Sequence, residues 1–171
     1  GMEHVTIETI AREVGLTEGA IYRHFHSKQG ILVMLLELME QGLLGMIEET
    51  RSEHRPGLTT LRKLFYNHLN NTGFYGGISF ILTAEVLHFD DSRLRDRVAG
   101  LLARYLDAIG QILIEAVNNG ELRSGVQVDA SATLFLGMIQ STATRWSANN
   151  YDFSLEGRFG PMWELYARSI T

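Results

Sequence analysis

The sequence predicts an all-α protein. Along most of the 171 residues, apolar side chains recur at the three- and four-residue spacing of an amphipathic helix. No stretch sustains the alternating polarity and β-branched enrichment of a strand. Turn-forming pairs such as Asn119-Gly120 separate the helical segments. We therefore expect roughly eight helices around a sizeable core, with no internal repeat and no low-complexity segment.

Composition excludes several classes of protein. The chain has no cysteine, which excludes disulfides, thiolate metal sites and thiol nucleophiles. Charges or glycines interrupt its apolar runs, and the sequence as given shows no secretory n-region and h-region, so we expect a soluble, cytoplasmic protein. The sequence contains no Gly-rich phosphate loop, metal-ligand cluster or triad-like arrangement. We therefore expect a protein that is not an enzyme and that needs neither cofactor nor metal.

The segment from Thr6 to Lys28, TIETIAREVGLTEGAIYRHFHSK, predicts a helix-turn-helix. Helically spaced apolar residues precede a turn at Gly15, and Thr17 is placed to cap a second short helix that ends near Phe25. Ser27 is placed to cap a longer third helix. A pair of short helices joined by such a turn can lay its second helix in the major groove of DNA.

Within this segment, the run IAREVGLTEGAIYRHFHSKQGIL, from Ile10 to Leu32, resembles the DNA-binding core of the TetR family of transcriptional regulators. The turn glycine, Thr17, the aromatic-rich YRHF and the Ser-Lys pair carry the resemblance in combination. The resemblance implies an N-terminal helix-turn-helix domain followed by a helical domain for ligand binding and dimerisation. It also implies double-stranded operator DNA and a second copy of the chain as partners.

The resemblance further implies which residues meet DNA. Hydroxyls or backbone amides at Thr6 and Thr17 would contact phosphate, and Glu18 and Ala20 would face bases. The outward residues Tyr22, Arg23 and His24 would reach phosphates or base edges. Lys28, at the start of the third helix, would pair with a phosphate. The alternative is that these are solvated residues of a helical pair used for another purpose.

Two features of the N-terminal region set limits on DNA binding. The net charge is −5, and residues 1–55 hold five basic against nine acidic residues. Because Lys and Arg neutralise phosphate, this balance predicts modest and steeply salt-sensitive affinity. TetR-like domains normally have a helix before the helix-turn-helix, whereas this chain starts almost directly at Thr6. We therefore expect that first helix to be missing, with the N-terminal region loosened as a result.

The remaining chain divides at Arg55-Pro56-Gly57, since proline and the residue before it disfavour helix continuation. Residues 1–52 would form the DNA-binding domain with its connector helix, and residues 57–171 the regulatory and dimerisation domain. The predicted helices cover Ser27–Ser52, Leu58–Asn70, Phe74–Phe89, the segment from the Asp90-Asp91-Ser92 cap to Asn119-Gly120, Asp129–Ala148, and Ser154–Ser169 with a kink near Pro161.

The last two predicted helices carry a candidate dimer interface. Small side chains form a stripe on the first of them, which allows close helix approach, and the last helix offers bulky residues beside it. In the TetR family these two helices of each subunit build a four-helix interface. The alternative for each residue is ordinary packing within one chain. The candidates are Thr133, Gly137, Ser141, Thr144, Met162, Trp163, Tyr166 and Ile170.

A ligand pocket for an unknown small-molecule effector is expected within the C-terminal helices. Most candidates are apolar at helical spacing, so core packing is the alternative role for each. Glu85 and His88, spaced i and i+3, form either a polar ligand anchor, half a metal site, or a surface pair. The candidates are Phe65, His68, Leu69, Phe74, Ile81, Glu85, His88, Tyr105, Ile109, Phe135, Ile139, Thr142 and Trp146.

The leading functional prediction is a repressor that binds operator DNA as a dimer and is released by a small-molecule effector. The block from Ile81 to Leu102 is also similar to the corresponding helices of the nucleoid-occlusion regulators of this family. The alternative is therefore a DNA-bound protein whose C-terminal domain presents a surface to a protein partner. An elongated apolar cavity would favour the effector, and a core filled by side chains would favour the partner.

Overall fold

The computed structural model describes residues 28–74, 90–149 and 154–171, together with residues 19, 83, 86 and 152. Five helices occupy these ranges: α1 Lys28–Ser52, α2 Gly57–Phe74, α3 Ser92–Asn118, α4 Val128–Ala148 and α5 Glu156–Ile170. The described residues contain no strand. The all-α prediction is confirmed.

Most helix ends lie close to their predicted positions. Asp91 caps α3, accepting a hydrogen bond from the Arg93 amide at 2.9 Å, and Gly120 follows the helix with a φ of +73°. Asp129 lies in the first turn of α4 instead of at its cap, because that helix begins at Val128. Ser154 Oγ accepts a hydrogen bond from the Gly157 amide at 3.4 Å, and Pro161 lies within α5.

The end of α2 differs from the prediction. We expected the run Asn70-Asn71-Thr72-Gly73 to end this helix, yet α2 continues to Phe74. A glycine in a helix costs only about 1 kcal/mol relative to alanine. The fully buried Leu64, Phe65 and Leu69 fix the preceding turns of α2 in the core. Continuing a helix that is already anchored adds one hydrogen bond per residue, which outweighs the poor helix propensity of these residues.

The start of α2 lies very close to α3. A Cβ atom added to Gly57 would lie 2.6 Å from the Ala116 Cβ and 3.2 Å from the Ile112 carbonyl oxygen. The Leu58 amide at this helix start donates to the Glu121 carboxylate at 3.1 Å. The Arg-Pro-Gly sequence therefore lies between α1, which ends at Ser52, and the body of α2, and it supplies the residue without a side chain that this contact requires.

The main core is the larger of two hydrophobic clusters and lies between α2, α3, α4 and α5. Its aromatic rings pack in series at steep angles to one another, with ring centroids 5.6 Å apart for Phe65 and Phe135 and 5.7 Å apart for Phe135 and Tyr166. The end of α1 also contributes. The buried members are Met46, Ile47, Leu61, Leu64, Phe65, Leu69, Tyr105, Ile109, Ile112, Leu113, Ala116, Leu122, Ala132, Phe135, Ile139, Trp163, Tyr166 and Ile170.

A second cluster, which we name the junction core, joins the first half of α1 to the first half of α3. Its buried members are Ile31, Leu32, Leu35, Leu36, Val86, Leu94 and Val98. Since Met46 and Ile47 lie in the main core, α1 belongs to both clusters. The connector helix is thus covered at its two ends by different parts of the C-terminal region.

Among the described residues, one helix, Gln29–Ser52, is long and apolar enough to cross a membrane by length and composition alone, with a mean hydropathy of 1.7. The core helix of a soluble protein meets the same criterion. The buried side chains of this helix pack into the two cores, and its exposed positions include Glu37, Glu48 and Glu49. Packing within the chain covers about a third of this apolar window, and Leu38 is 52% exposed.

Candidate functional site

The predicted DNA contacts lie at the N-terminal end of α1 and before it. Lys28 is the first residue of α1, as expected, so its position is at a helix N-terminus, where free amides favour phosphate. The other predicted contacts, namely Thr6, Thr17, Glu18, Ala20, Tyr22, Arg23 and His24, lie outside the described residues. The structure therefore shows how the end of this region is attached to the C-terminal domain.

Most of the predicted pocket residues come together in the main core or at its edge. Phe65, Leu69, Tyr105, Ile109, Phe135 and Ile139 are at most 2% exposed, and His68 and Thr142 are also buried. Trp146 is partly exposed. Ile81, Glu85 and His88 lie outside the described residues, as does the side chain of Phe74. In the part of the pocket that the structure describes, side chains fill the space between the helices.

His68 and Tyr105 form a buried polar pair in this apolar setting. The His68 Nδ1 and the Tyr105 hydroxyl are 2.8 Å apart and share a hydrogen bond. Burial lowers the pKa of His68 to about 4 and raises the pKa of Tyr105, so both groups are neutral at pH 7. Sequence reasoning identified both residues and missed their pairing, because helical spacing does not reveal contacts between residues 37 positions apart.

Acidification should destabilise the protein through His68. Since its pKa is about 4 when folded and near 6.5 when unfolded, the unfolded chain binds more protons between these values. The contribution of His68 to the free energy of unfolding is fully present above pH 6.5, and we expect about 2 kcal/mol of it to be lost by pH 4.5. Urea unfolding at several pH values measures it. In the His68→Gln variant, the free energy of unfolding should not fall in this way between pH 6.5 and pH 4.5. If it depends on pH as steeply as in the parent, the burial of His68 is not the cause.

The predicted dimer residues divide between the surface and the core. Thr133, Gly137 and Ser141 are exposed on α4, and Thr144 and Met162 are partly exposed. Trp163, Tyr166 and Ile170 are instead buried in the main core of their own chain, where the Tyr166 hydroxyl donates to the Ser131 carbonyl at 3.1 Å. Those three side chains are not available to a partner.

Two exposed leucines that sequence reasoning missed lie on these same helices. Leu134 is 51% exposed on α4, and Leu165 is 70% exposed on α5. Leu134 is three positions before Gly137, which places both residues on the exposed side of α4. The sequence signal was present, since both leucines adjoin residues that were chosen, but periodicity alone does not show which helix face meets the core.

Two clefts on the surface of the described residues are lined largely by charged and polar side chains. One, of about 400 Å³, is lined by Arg51, His54, Arg55, Thr60 and Glu115 among others, and Arg51 is paired with Glu115 at 2.6 Å. The other, of about 540 Å³, lies beside α1 and is lined by Glu37, Glu40, Glu48 and Arg97 among others. Neither has the apolar lining that was predicted for an effector pocket.

Two family profiles match the sequence. Residues 1–35 match the bacterial regulatory proteins of the tetR family, and residues 36–169 match the C-terminal region of YsiA-like proteins. The two matches meet within the first half of α1, whose side chains form the junction core. The first match covers the predicted helix-turn-helix, and the second covers the helices that build the main core.

Curated relatives include the nucleoid occlusion factors SlmA. The Vibrio cholerae protein is 29% identical over 174 residues, which cover 99% of this chain and 87% of that protein. The protein of Actinobacillus pleuropneumoniae serotype 5b is 28% identical, with 96% and 81% covered. The similarity therefore extends over nearly the whole chain and is not confined to the helix-turn-helix.

Solved structures show the same fold. The transcriptional regulator FadR from Bacillus subtilis, in complex with stearoyl-CoA, has a TM-score of 0.72 and 25% identity, with 96% of this chain and 88% of that chain covered. The TetR family regulator PfmR from Thermus thermophilus has a TM-score of 0.71 and 22% identity, with 95% and 87% covered. Sequence, fold and family profiles agree, and the chain belongs to the TetR family of bacterial regulatory proteins, as a DNA-binding transcriptional regulator.

Proposed function

We propose that this regulator is a cytoplasmic repressor that binds operator DNA as a homodimer and is released by a small-molecule effector bound in its C-terminal domain. One observation carries the proposal: the DNA-binding match and the C-terminal match meet within a single helix, α1, which packs into both cores. A change in the C-terminal domain that moves α1 also moves the DNA-binding region at its end. This is the physical link that effector release requires.

Exposed apolar and small residues support a dimer through α4 and α5. Leu134 and Leu165 are exposed on these two helices, and Gly137 leaves open space where a partner helix can approach. Two copies related by a two-fold axis would present two DNA-binding regions to the two halves of an operator.

The proposed effector class is a long-chain acyl thioester. The support comes from FadR of Bacillus subtilis, which is 25% identical over 96% of this chain and whose structure holds stearoyl-CoA. The main core is apolar with the neutral pair His68 and Tyr105 inside it, a lining that suits an acyl chain with one polar group near it. Opening such a core would require its side chains to rearrange around the ligand.

The predicted DNA contacts can be tested by replacing Lys28 and Tyr22 with alanine. We expect each change to weaken binding to all duplexes to a similar degree, because phosphate contacts carry no sequence information. Only Lys28→Ala should reduce the slope of log affinity against log salt, by about one. Fluorescence anisotropy at several salt concentrations measures both quantities.

Lys63→Ala is the matched control, because Lys63 lies on α2 and forms an ion pair with Glu53. It should leave both affinity and salt slope unchanged. Unchanged DNA binding in both Lys28→Ala and Tyr22→Ala would show that the contacts assigned by resemblance are not made.

A second candidate function is a DNA-bound protein that presents its C-terminal domain to a protein partner. Two observations favour it: the similarity to nucleoid occlusion factors over 99% of this chain, and the side-chain-filled core in the described part of the predicted pocket. In that case, DNA affinity would not respond to acyl thioesters.

A further inference from the structure

Asp91 joins the C-terminal domain directly to the start of the connector helix. Its carboxylate caps α3 by accepting the Arg93 amide at 2.9 Å, and it also accepts a hydrogen bond from the side-chain amide of Gln29. The Asp91 side chain is only 10% exposed. One carboxylate thus binds two helices at once, and Gln29 is the residue immediately after Lys28.

The electrostatics of Asp91 suit this double role. Desolvation acts to raise the pKa of its carboxyl group, but hydrogen bonds from Arg93 and Gln29 outweigh it, so that the pKa lies below its ordinary value. The group is therefore ionised at neutral pH. A hydrogen bond to an ionised acceptor is shorter and stronger than one between neutral groups.

Other polar contacts between α1 and α3 lie farther along the helices and are more exposed. Arg97 lies 3.3 Å from Glu37 and 3.5 Å from Glu40, and Arg104 lies 2.5 Å from Glu40. These arginines are 34% and 53% exposed, so solvent screens their ion pairs. The junction core holds the two helices together through apolar contacts, and the Asp91 carboxylate adds a hydrogen bond at the start of α1.

We propose that Asp91, acting through Gln29, is a positioning residue that sets the direction of the DNA-binding region relative to the C-terminal domain. The proposal rests on the proposed function, since the direction matters only for a protein whose two DNA-binding regions must match two half-sites. A movement at the start of α3 pulls Gln29 with it, because the same carboxylate holds both. Asp91 is then the point at which a change in the C-terminal domain reaches the DNA-binding region.

The contact can be tested without DNA, because a chain without cysteine accepts spin labels at chosen sites. Gly19→Cys and Ala99→Cys place labels at two exposed positions, one in the DNA-binding region and one on α3. Diluting the labelled chain with unlabelled chain isolates the distance within one subunit. Pulsed electron–electron double resonance then measures the distribution of distances between the two spin labels.

We expect the distance distribution to broaden in Gln29→Met, which keeps the side-chain length and removes the hydrogen bond donor. Asp91→Ser should broaden it as well, because serine still caps α3 but is too short to reach Gln29. The control is Gln41→Met, the same change at an exposed position of α1. The proposal would be overturned if the distance distribution in Gln29→Met were as narrow as in the parent. It would also be overturned if the control Gln41→Met broadened the distribution as much as Gln29→Met does.

DNA binding provides the second readout. Gln29→Met should lower affinity for a duplex with two half-sites by about fivefold, a typical size for the loss of one coupling contact. Affinity for a single half-site should stay unchanged, because one DNA-binding region needs no fixed direction. An equal loss on both duplexes would show a general structural defect and overturn the proposal. If the parent binds neither duplex, the proposed function fails, while the label distances still decide the role of Asp91.

Discussion

Replacing Gly137 with glutamate should convert the proposed dimer to a monomer and lower operator affinity by about 100-fold or more. Gly137 is exposed on α4, and an added Cβ would have nothing within 4 Å in the single chain. The larger residue is therefore accommodated in the monomer, and it also removes the poor helix propensity of glycine. In a two-fold interface built on this face, each added carboxylate would have to lose its hydration against the partner helix.

Sedimentation velocity and DNA-binding anisotropy measure the two parts of this effect. The matched control is Gly42→Glu, at an exposed position of α1 that also has nothing within 4 Å of an added Cβ. The control should remain dimeric and bind operator as the parent does. If Gly137→Glu behaves like the control, the dimer does not form through this face of α4.

Replacing Gly57 with alanine should lower the free energy of unfolding by about 2–3 kcal/mol, because it overpacks a rigid contact. The added Cβ would lie 2.6 Å from the Ala116 Cβ and 3.2 Å from the Ile112 carbonyl oxygen. These neighbours are a short side chain and a backbone atom of α3, so neither can turn aside as the end of a long side chain can. The start of α2 would have to move away from the core.

Chemical denaturation of the variant and the parent measures this loss, and Gly110→Ala is the control. Gly110 is also a helical glycine, on α3, but an added Cβ there would lie 3.5 Å from the Val128 Cγ1, an ordinary contact. That change should be neutral or stabilise by up to about 1 kcal/mol through helix propensity. Equal losses in the two variants would contradict the close approach of α2 and α3.

Local signals in the sequence predicted much of the fold. The bounds of α3 followed from a cap at Asp91 and a stop at Asn119-Gly120, because capping chemistry depends on a few adjacent residues. The end of α2 was missed because tertiary packing of the preceding turns, which no local pattern records, carried the helix through Gly73.

The candidate sites were less predictable, since they depend on which face of a helix meets which neighbour. Trp163 and Tyr166 have the spacing of an interface, yet they lie in the main core, whereas Leu134 and Leu165 are exposed. The pairing of His68 with Tyr105 and the link between Gln29 and Asp91 join residues distant in sequence. Periodicity identifies such residues individually, but only the packing of the helices brings them together.

The central claim is that an effector in the C-terminal domain controls DNA binding, and titration of the protein–DNA complex with stearoyl-CoA tests it most directly. The complex is formed on duplex from the upstream region of the gene itself and followed by fluorescence anisotropy, with free coenzyme A as the control. We predict that stearoyl-CoA releases the protein from DNA and that coenzyme A alone does not. Stable DNA binding at every stearoyl-CoA concentration would contradict the acyl-thioester account and favour a protein partner for the C-terminal domain.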